Sequence, residues 1–307
     1  MKNSQQRIAP VTGGVLTVDK PSGMTSHDVV NAVRRLYQTK KVGHTGTLDP
    51  MATGVLCVLV ERAAKAAEYL VSDEKIYEAT LRLGIKTTTD DTEGEITAKS
   101  DNIPSEDEVL SAVAEFVGKQ KQIPPMYSAL KKDGVKLIDL ARRGIEVERE
   151  ARDIEIFSVS AAKINETDYS LSVHCSKGTY IRTLCADIGE KLGCHGAMAS
   201  LRRIKSGNFS IENAVTLEQL ASATKEERVG LLLPCEALFE GCEAVKLNDF
   251  FARLAHSGNE IYQEKIHTDF EIGKRIRLYD KDGFFALGEV MRYSDRTAIK
   301  PVKFFNI

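Results

Sequence analysis

The densest segment of residues that could do chemistry is Lys41-Val42-Gly43-His44-Thr45-Gly46-Thr47-Leu48-Asp49-Pro50, continued by Met51-Ala52-Thr53-Gly54-Val55-Leu56. An aspartate followed by proline is confined to extended or turn geometry. A carboxylate fixed in this way can serve as a nucleophile or a general base. Gly43, Gly46 and Pro50 predict a stiff, turn-rich loop, neither strand nor helix, that runs into a strand after Gly54. A loop carried on a rigid strand is a good place for an active residue. Taken alone, however, Asp49 reads as the aspartate of an Asx turn, so the rest of the chain must decide.

The elements that would position this loop can be read from periodicity and punctuation. Gly14 to Val18 predicts a short strand. Ser26 is the expected N-cap of a helix reaching Leu36, with Val29, Val30, Val33 and Leu36 on its apolar face. Gly54 to Val60 is a continuous apolar run and predicts a buried strand. Arg62 to Leu70 is alanine-rich and reads as helical. Tyr77, Ala79, Leu81 and Leu83 alternate with polar residues, as in a half-buried strand. Ser105 and Glu108 form a capping box for a helix that ends near Gly118. Strands are expected over Ile154 to Ile164 and Tyr169 to Cys175, then a helix over Ile181 to Leu192 stopped by Gly193. Gln122 to Glu150 differs: it opens on Pro124-Pro125, contains Lys131-Lys132-Asp133-Gly134, and closes on Arg142-Arg143-Gly144. It reads as a long excursion carrying one short helix, and such excursions are usually functional. Leu217 to Leu233 predicts a helical connection. Beyond Val245, short strands at Ile276 to Leu278, Phe284 to Val290 and Ala298 to Lys300 predict a small β-rich unit. The expected architecture is α+β, with a catalytic body over residues 1–240 and a second domain over 245–307.

Composition narrows the functional classes. The chain has 307 residues, 42% hydrophobic and 28% charged, which is ordinary for a globular protein of about two domains. Six cysteines occur without a C-x-x-C pair, which argues against a zinc site. Met1 to Pro10 lacks the apolar core of a signal peptide, and no apolar run is long enough to span a bilayer; a cytoplasmic location is expected. The net charge of −2 argues against nucleic acid, but its distribution argues for it. Residues 1–60 carry seven Lys/Arg against three Asp/Glu, and residues 174–207 carry six against two, whereas residues 90–115 carry one against nine. An acidic region masks two basic ones.

Five segments, in the same order along the chain as in the family, resemble the TruB family of tRNA pseudouridine synthases. Gly43 to Pro50 resembles its G-H-T-G-T-L-D-P catalytic loop. Asp19-Lys20-Pro21-Ser22-Gly23-Met24-Thr25-Ser26 precedes it, as in the family. Gln122 to Gly144, with Pro124-Pro125-Met126-Tyr127-Ser128-Ala129-Leu130-Lys131, is similar to the family's RNA-clasping insertion. Lys177-Gly178-Thr179-Tyr180-Ile181-Arg182 and then Leu201-Arg202-Arg203 complete the set. The resemblance covers roughly residues 14 to 220, and more weakly the terminal unit, which looks like a PUA-type RNA-binding module. Ile138 stands where the family often has an aromatic.

This resemblance implies an α+β fold with a mixed, mainly antiparallel sheet, and a reaction in which the uridine N1–C1′ bond breaks, the base turns, and C5 joins C1′. Nothing is oxidised or added, so no cofactor and no metal are expected. Asp49 is the implied catalytic carboxylate, with Arg182 as its cationic partner holding down its pKa. Tyr77 is implied to stack on the base and assist at C5. His44 is implied to fill the gap left by a base turned out of its stack, with Tyr180 and Leu201 walling the pocket. Lys20 is expected to anchor either the loop or a phosphate. Lys131, Lys132, Arg142, Arg143, Arg202 and Arg203 are candidate phosphate contacts. The expected partner is the T stem-loop of tRNA, at the uridine conventionally numbered 55, bound by a monomer without guide RNA or membrane. Two alternatives stay open: an RNA-binding or RNA-folding module whose catalysis is dispensable, and a guide-RNA-dependent relative acting on ribosomal RNA.

Overall fold

The computed structural model of the protein describes residues 13–69 and 74–305. The expectations for Met1 to Pro10 and for Leu70 lie outside those residues. The body is built on a nine-stranded mixed sheet. Its strands are β1 (Gly13–Lys20), β2 (Val42–Thr45), β3 (Thr53–Glu61), β4 (Lys75–Leu83), β5 (Gly118–Gln122), β6 (Arg152–Lys163), β7 (Asp168–Cys175), β8 (Gly196–Ser206) and β9 (Phe209–Ser210). The order is β1-β3-β8-β4-β7-β6-β5, with β2 added to β3 and β9 to β8. All pairings are antiparallel except β3 with β8, where Thr53 and Gly54 face Arg202 and Arg203. The α+β expectation is met.

Strand β3 is apolar throughout because both its faces are covered. Leu56, Val58 and Val60 pack with Val29, Val30 and Val33 of helix α1 (Ser26–Tyr37), whereas Val55, Cys57 and Leu59 face Val15 and Ala63. Helix α2 (Glu106–Ala114) and helix α4 (Ile181–Lys191), separated in sequence by the short helix α3 (Leu137–Ala141), cover β4 and β7 through Val109, Leu184 and Ile188 against Leu81 and Leu171. The segment expected to be helical after β3 is a 3-10 helix, Arg62–Tyr69.

Two strands of the sheet approach closely at Gly54. Its φ is +100°, and a Cβ placed there would lie 2.2 Å from the Arg203 carbonyl oxygen. Only glycine accepts both conditions. Gly54→Ala is therefore expected to destabilise the protein by about 2 to 4 kcal/mol, combining αL-type strain with a backbone clash. Urea titration of the two proteins would measure it, and equal midpoints would refute the close-approach argument.

Three local expectations need correction. The loop before Asp49 begins later than its glycines suggest, because Val42–Thr45 pairs with Thr45↔Cys57 to Val42↔Val60 register along β3; Gly43 is tolerated in a strand whose neighbour supplies the packing. Ser26 is not the N-cap of α1. Thr25 caps it in a capping box with Asp28, which leaves the Ser26 hydroxyl for another task. The predicted helix over Leu217 to Leu233 is two short ones, Leu217–Ser222 and Lys225–Gly230, because Ala223 is extended and Thr224 starts a new capping box.

The terminal strands form a separate five-stranded sheet from Glu243–Lys246, Ile261–Tyr262, Arg275–Asp280, Gly283–Tyr293 and Arg296–Phe304. It has its own core of Val245, Ile276, Leu278, Phe285, Val290 and Ile299. It also carries a helix not foreseen from sequence, Asp249–His256, capped by the Asn248 side chain. Phe284, Leu287 and Phe305 pack against Ala66 and Phe239 of the first body. Among the described residues no helix is long and apolar enough to cross a membrane.

Candidate active site

Asp49 sits on the loop between β2 and β3, and that loop is pinned on every side. The Lys20 ammonium, fully buried at the end of β1, donates to the carbonyls of Pro21 (2.9 Å), Met24 (2.6 Å) and Pro50 (3.1 Å). The Ser26 hydroxyl, freed from capping, accepts from Leu48 N at 2.8 Å and donates to Leu48 O at 3.1 Å. Gly23 N donates to Pro50 O, and Ser22 Oγ to Met51 O. From β8, Arg203 donates through Nε to Val55 O at 2.7 Å and through Nη2 to Gly46 O at 3.1 Å. A buried cation costs free energy unless it is fully hydrogen-bonded. Lys20 meets three carbonyls, yet burial still lowers its pKa to about 8. So rigid a support holds the Asp49 carboxylate within a narrow geometry.

Facing this loop, the first turn of α4 presents Arg182. Its Nη2 donates to Asp49 Oδ1 at 3.2 Å and to the Tyr127 carbonyl at 2.6 Å, while Nη1 lies 3.6 Å from Asp91 Oδ2. The remaining Asp91 oxygen accepts from Thr89 Oγ1 at 2.6 Å and from Glu93 N at 3.1 Å. One planar guanidinium thus bridges two carboxylates and a backbone carbonyl, which an ammonium cannot do. Arg182 is buried, and the alternative of a surface arginine at a helix start is excluded.

The electrostatic balance at Asp49 differs from expectation. Burial and the Asp91 carboxylate push its pKa up, Arg182 and Lys20 pull it down, and burial is the largest of the four, so the net shift is upward from 3.8. Arg182 moderates the shift without reversing it. If the ionised form is the active one, activity is lost as pH falls through a value above that of a free aspartate. The acid limb of a single-turnover rate profile should accordingly lie above pH 3.8; a limb below it would contradict this electrostatic picture.

The other candidate residues divide into two groups. Tyr77 is buried on β4 directly opposite Arg203 on β8, with the guanidinium beside its hydroxyl and the Asp49 charge within reach; burial raises its pKa. Leu201 stands two pairs along, opposite Ala79. Tyr180, half-buried, is the N-cap residue of α4 and is influenced by both Asp49 and Arg182. Tyr77 and Tyr180 thus lie within electrostatic reach of Asp49. His44 lies on β2 opposite Val58, its Nδ1 buried without a partner. Burial and the nearby Arg203 lower its pKa, which favours the neutral ring.

The basic candidates are not all at the surface. Arg203 is 1% exposed and Lys20 0%, and both turn their charge inward onto backbone carbonyls, where they support the loop. Arg202 makes a two-pronged ion pair with Asp19 at 2.8 and 3.2 Å, half in solvent. Lys131, Lys132, Arg142 and Arg143 are exposed on the insertion, a small hairpin (Lys131–Lys132 with Val135–Lys136) followed by α3. Its turn residues Asp133 and Gly134 both have positive φ, as an Asp-Gly hairpin turn requires.

Asp91 was missed by sequence reasoning, as was the Tyr127 carbonyl. The run Thr87-Thr88-Thr89-Asp90-Asp91-Thr92 was a signal, since threonines flanking an aspartate can fix it by short-range hydrogen bonds. It was absorbed instead into the acidic region. Among the described residues no cluster of three or more His, Cys, Asp or Glu could hold a metal ion.

Comparison with known proteins identifies the family. The profile of the TruB family pseudouridylate synthase N-terminal domain matches residues 34–181, and that of the tRNA pseudouridylate synthase B C-terminal domain matches residues 182–240. Relatives named tRNA pseudouridine synthase B include one from Clostridium perfringens, 43% identical over 89% of this chain and 92% of its own length. Another, from Burkholderia mallei, is 44% identical over 88% and 90%. Among solved structures, a Cbf5-Nop10-Gar1 complex contains a chain that superposes with a TM-score of 0.75 at 27% identity, covering 96% of this chain and 86% of that one. With its Asp49 loop, its Arg182 helix and these matches along most of its length, the chain belongs to the TruB family of pseudouridylate synthases.

Proposed function

We propose that this enzyme isomerises the T-loop uridine of tRNA conventionally numbered 55, with Asp49 as the reacting carboxylate. At the coarser level the chain is a tRNA pseudouridine synthase. The observation that carries the finer reading is the Asp49–Arg182 pair at 3.2 Å, at the centre of a loop that five other groups immobilise, from Lys20, Ser22, Gly23, Ser26 and Arg203. A loop uridine is stacked in folded tRNA, so it must be turned out to reach that carboxylate. Tyr77 would then lie against the base, with Tyr180 and Leu201 as walls and neutral His44 available to stack where the base had been. Glycosidic cleavage, rotation and C5–C1′ bond formation exchange no electrons with another molecule, so no cofactor is invoked.

We also read residues 1–240 as the catalytic domain and 245–307 as a PUA-like RNA-binding domain. A monomer working with tRNA in the cytoplasm, without guide RNA, fits best: relatives named for tRNA are 43–44% identical, whereas the solved Cbf5 chain is 27% identical. Pure protein incubated with an isolated T stem-loop and no other RNA should yield pseudouridine on nuclease digestion and mass spectrometry. Product only after adding a guide RNA or partner proteins would favour the guided reading instead.

The exposed Lys131, Lys132, Arg142 and Arg143 lie on a segment pinned by little apolar surface, Leu137 being its buried anchor. Replacing residues 131–143 by a glycine bridge should weaken tRNA binding by about 10- to 100-fold and flatten its salt dependence, since several phosphate contacts are lost. Filter binding at two salt concentrations checks this; unchanged affinity would make the insertion part of the scaffold.

A further inference from the structure

The insertion leaves the sheet at Gln122 and returns at Arg152, which are paired across β5 and β6. At that closure the Gln122 side chain turns inward and is 4% exposed. Its amide matches a backbone edge. Nε2 donates to Tyr180 O at 3.0 Å, and Tyr180 N donates to Oε1 at 2.8 Å. A primary amide making both bonds to one residue imitates a β-bridge, and holds Tyr180 in position and in orientation. Tyr180 has no side-chain cap of its own, and its carbonyl also takes the first helical bond, from Leu184 N at 3.1 Å. Two residues on is Arg182, whose Nη2 donates to the Tyr127 carbonyl a few residues inside the insertion. The stem of the insertion therefore grips the start of α4 twice, through Gln122 on Tyr180 and through Tyr127 on Arg182.

We infer that Gln122 is a positioning residue for the reaction, fixing the start of α4 so that Arg182 meets Asp49 and Tyr180 walls the base pocket. The inference rests on the reading of Asp49, Tyr180 and Arg182 given above. Gln122 touches neither substrate nor the reacting carboxylate; it acts through the backbone of Tyr180. The physical basis is that a buried amide with both partners met is highly directional, whereas an apolar side chain of the same length leaves Tyr180 N–H and C=O to find other partners. A shift of the helix start by a fraction of an ångström would misalign the guanidinium against Asp49.

The test is Gln122→Met in the full-length protein, assayed by single-turnover conversion of saturating tRNA and, separately, by tRNA affinity. The expected result is a rate lower by about 10- to 100-fold, the scale of a remote misplacement of about 1 Å, with affinity within about threefold because the phosphate contacts are untouched. Gln122→Glu keeps the bond from Tyr180 N but, while ionised, cannot donate to Tyr180 O; it should fall between Met and wild type, and it carries the test alone if the Met protein does not fold. A wild-type rate in both folded variants, or a loss confined to affinity, would overturn the inference. Asp49→Asn run in parallel separates the two claims: an active Asn protein would sink the underlying site assignment, whereas an inactive one with unimpaired Gln122 variants would sink only this inference.

Discussion

Asp49→Asn is expected to lower the single-turnover rate by on the order of 10⁴-fold or more while tRNA affinity stays within a few fold. Losses of that size follow removal of a group that itself reacts. Affinity should survive because it comes mostly from phosphate contacts distant from the loop. The substitution is nearly isosteric and keeps an acceptor for the Arg182 Nη2 bond at 3.2 Å, so the loop should keep its shape. Stopped-time assays on purified protein, with a mass-spectrometric check for deamidation back to aspartate, measure the effect. Appreciable turnover by the asparagine protein would remove Asp49 from the chemistry.

Arg182→Met is expected to be nearly as severe, at about 10²- to 10³-fold in rate, the range seen when one preorganised electrostatic group is removed. Here the loss has two sources. Asp49 and Asp91 would confront each other without the guanidinium between them, and the Asp49 carboxylate would lose the cation that pulls its pKa down. The Tyr127 carbonyl would also lose its donor. Arg182→Lys should recover only part of the activity, since one ammonium cannot span two carboxylates and a carbonyl. The acid limb of the rate profile should move to higher pH in the methionine protein, because the only nearby guanidinium pulling the Asp49 pKa down is gone. Activity within a few fold of wild type would mean that Arg182 is structural.

What could be read in the sequence followed how locally each feature is encoded. β3 was legible because both its faces are apolar, and the Ser105–Glu108 capping box because its geometry spans four residues. β8 was not, since Arg202, Arg203 and Lys205 read as surface when Arg203 is in fact interior, satisfied by carbonyls from distant segments. Ser26 was hidden in the same way as the partner of Leu48, whereas Lys20, expected to anchor either the loop or a phosphate, holds the loop at the Pro50 carbonyl. Each is polar, and each acts through a bond across 20 or more residues. The Asp49 loop was found through a contiguous motif. Asp91 and the Gln122 amide, contributed by other elements, needed the folded chain.

The most direct test of the central claim is base-resolution mapping of pseudouridine in an unmodified full-length tRNA transcript treated with pure wild-type or Asp49→Asn protein. The account predicts one modified site, uridine-55 in the T loop, nearly complete with wild type and absent with the asparagine protein. Modification at another position, or equal modification by both proteins, would contradict it.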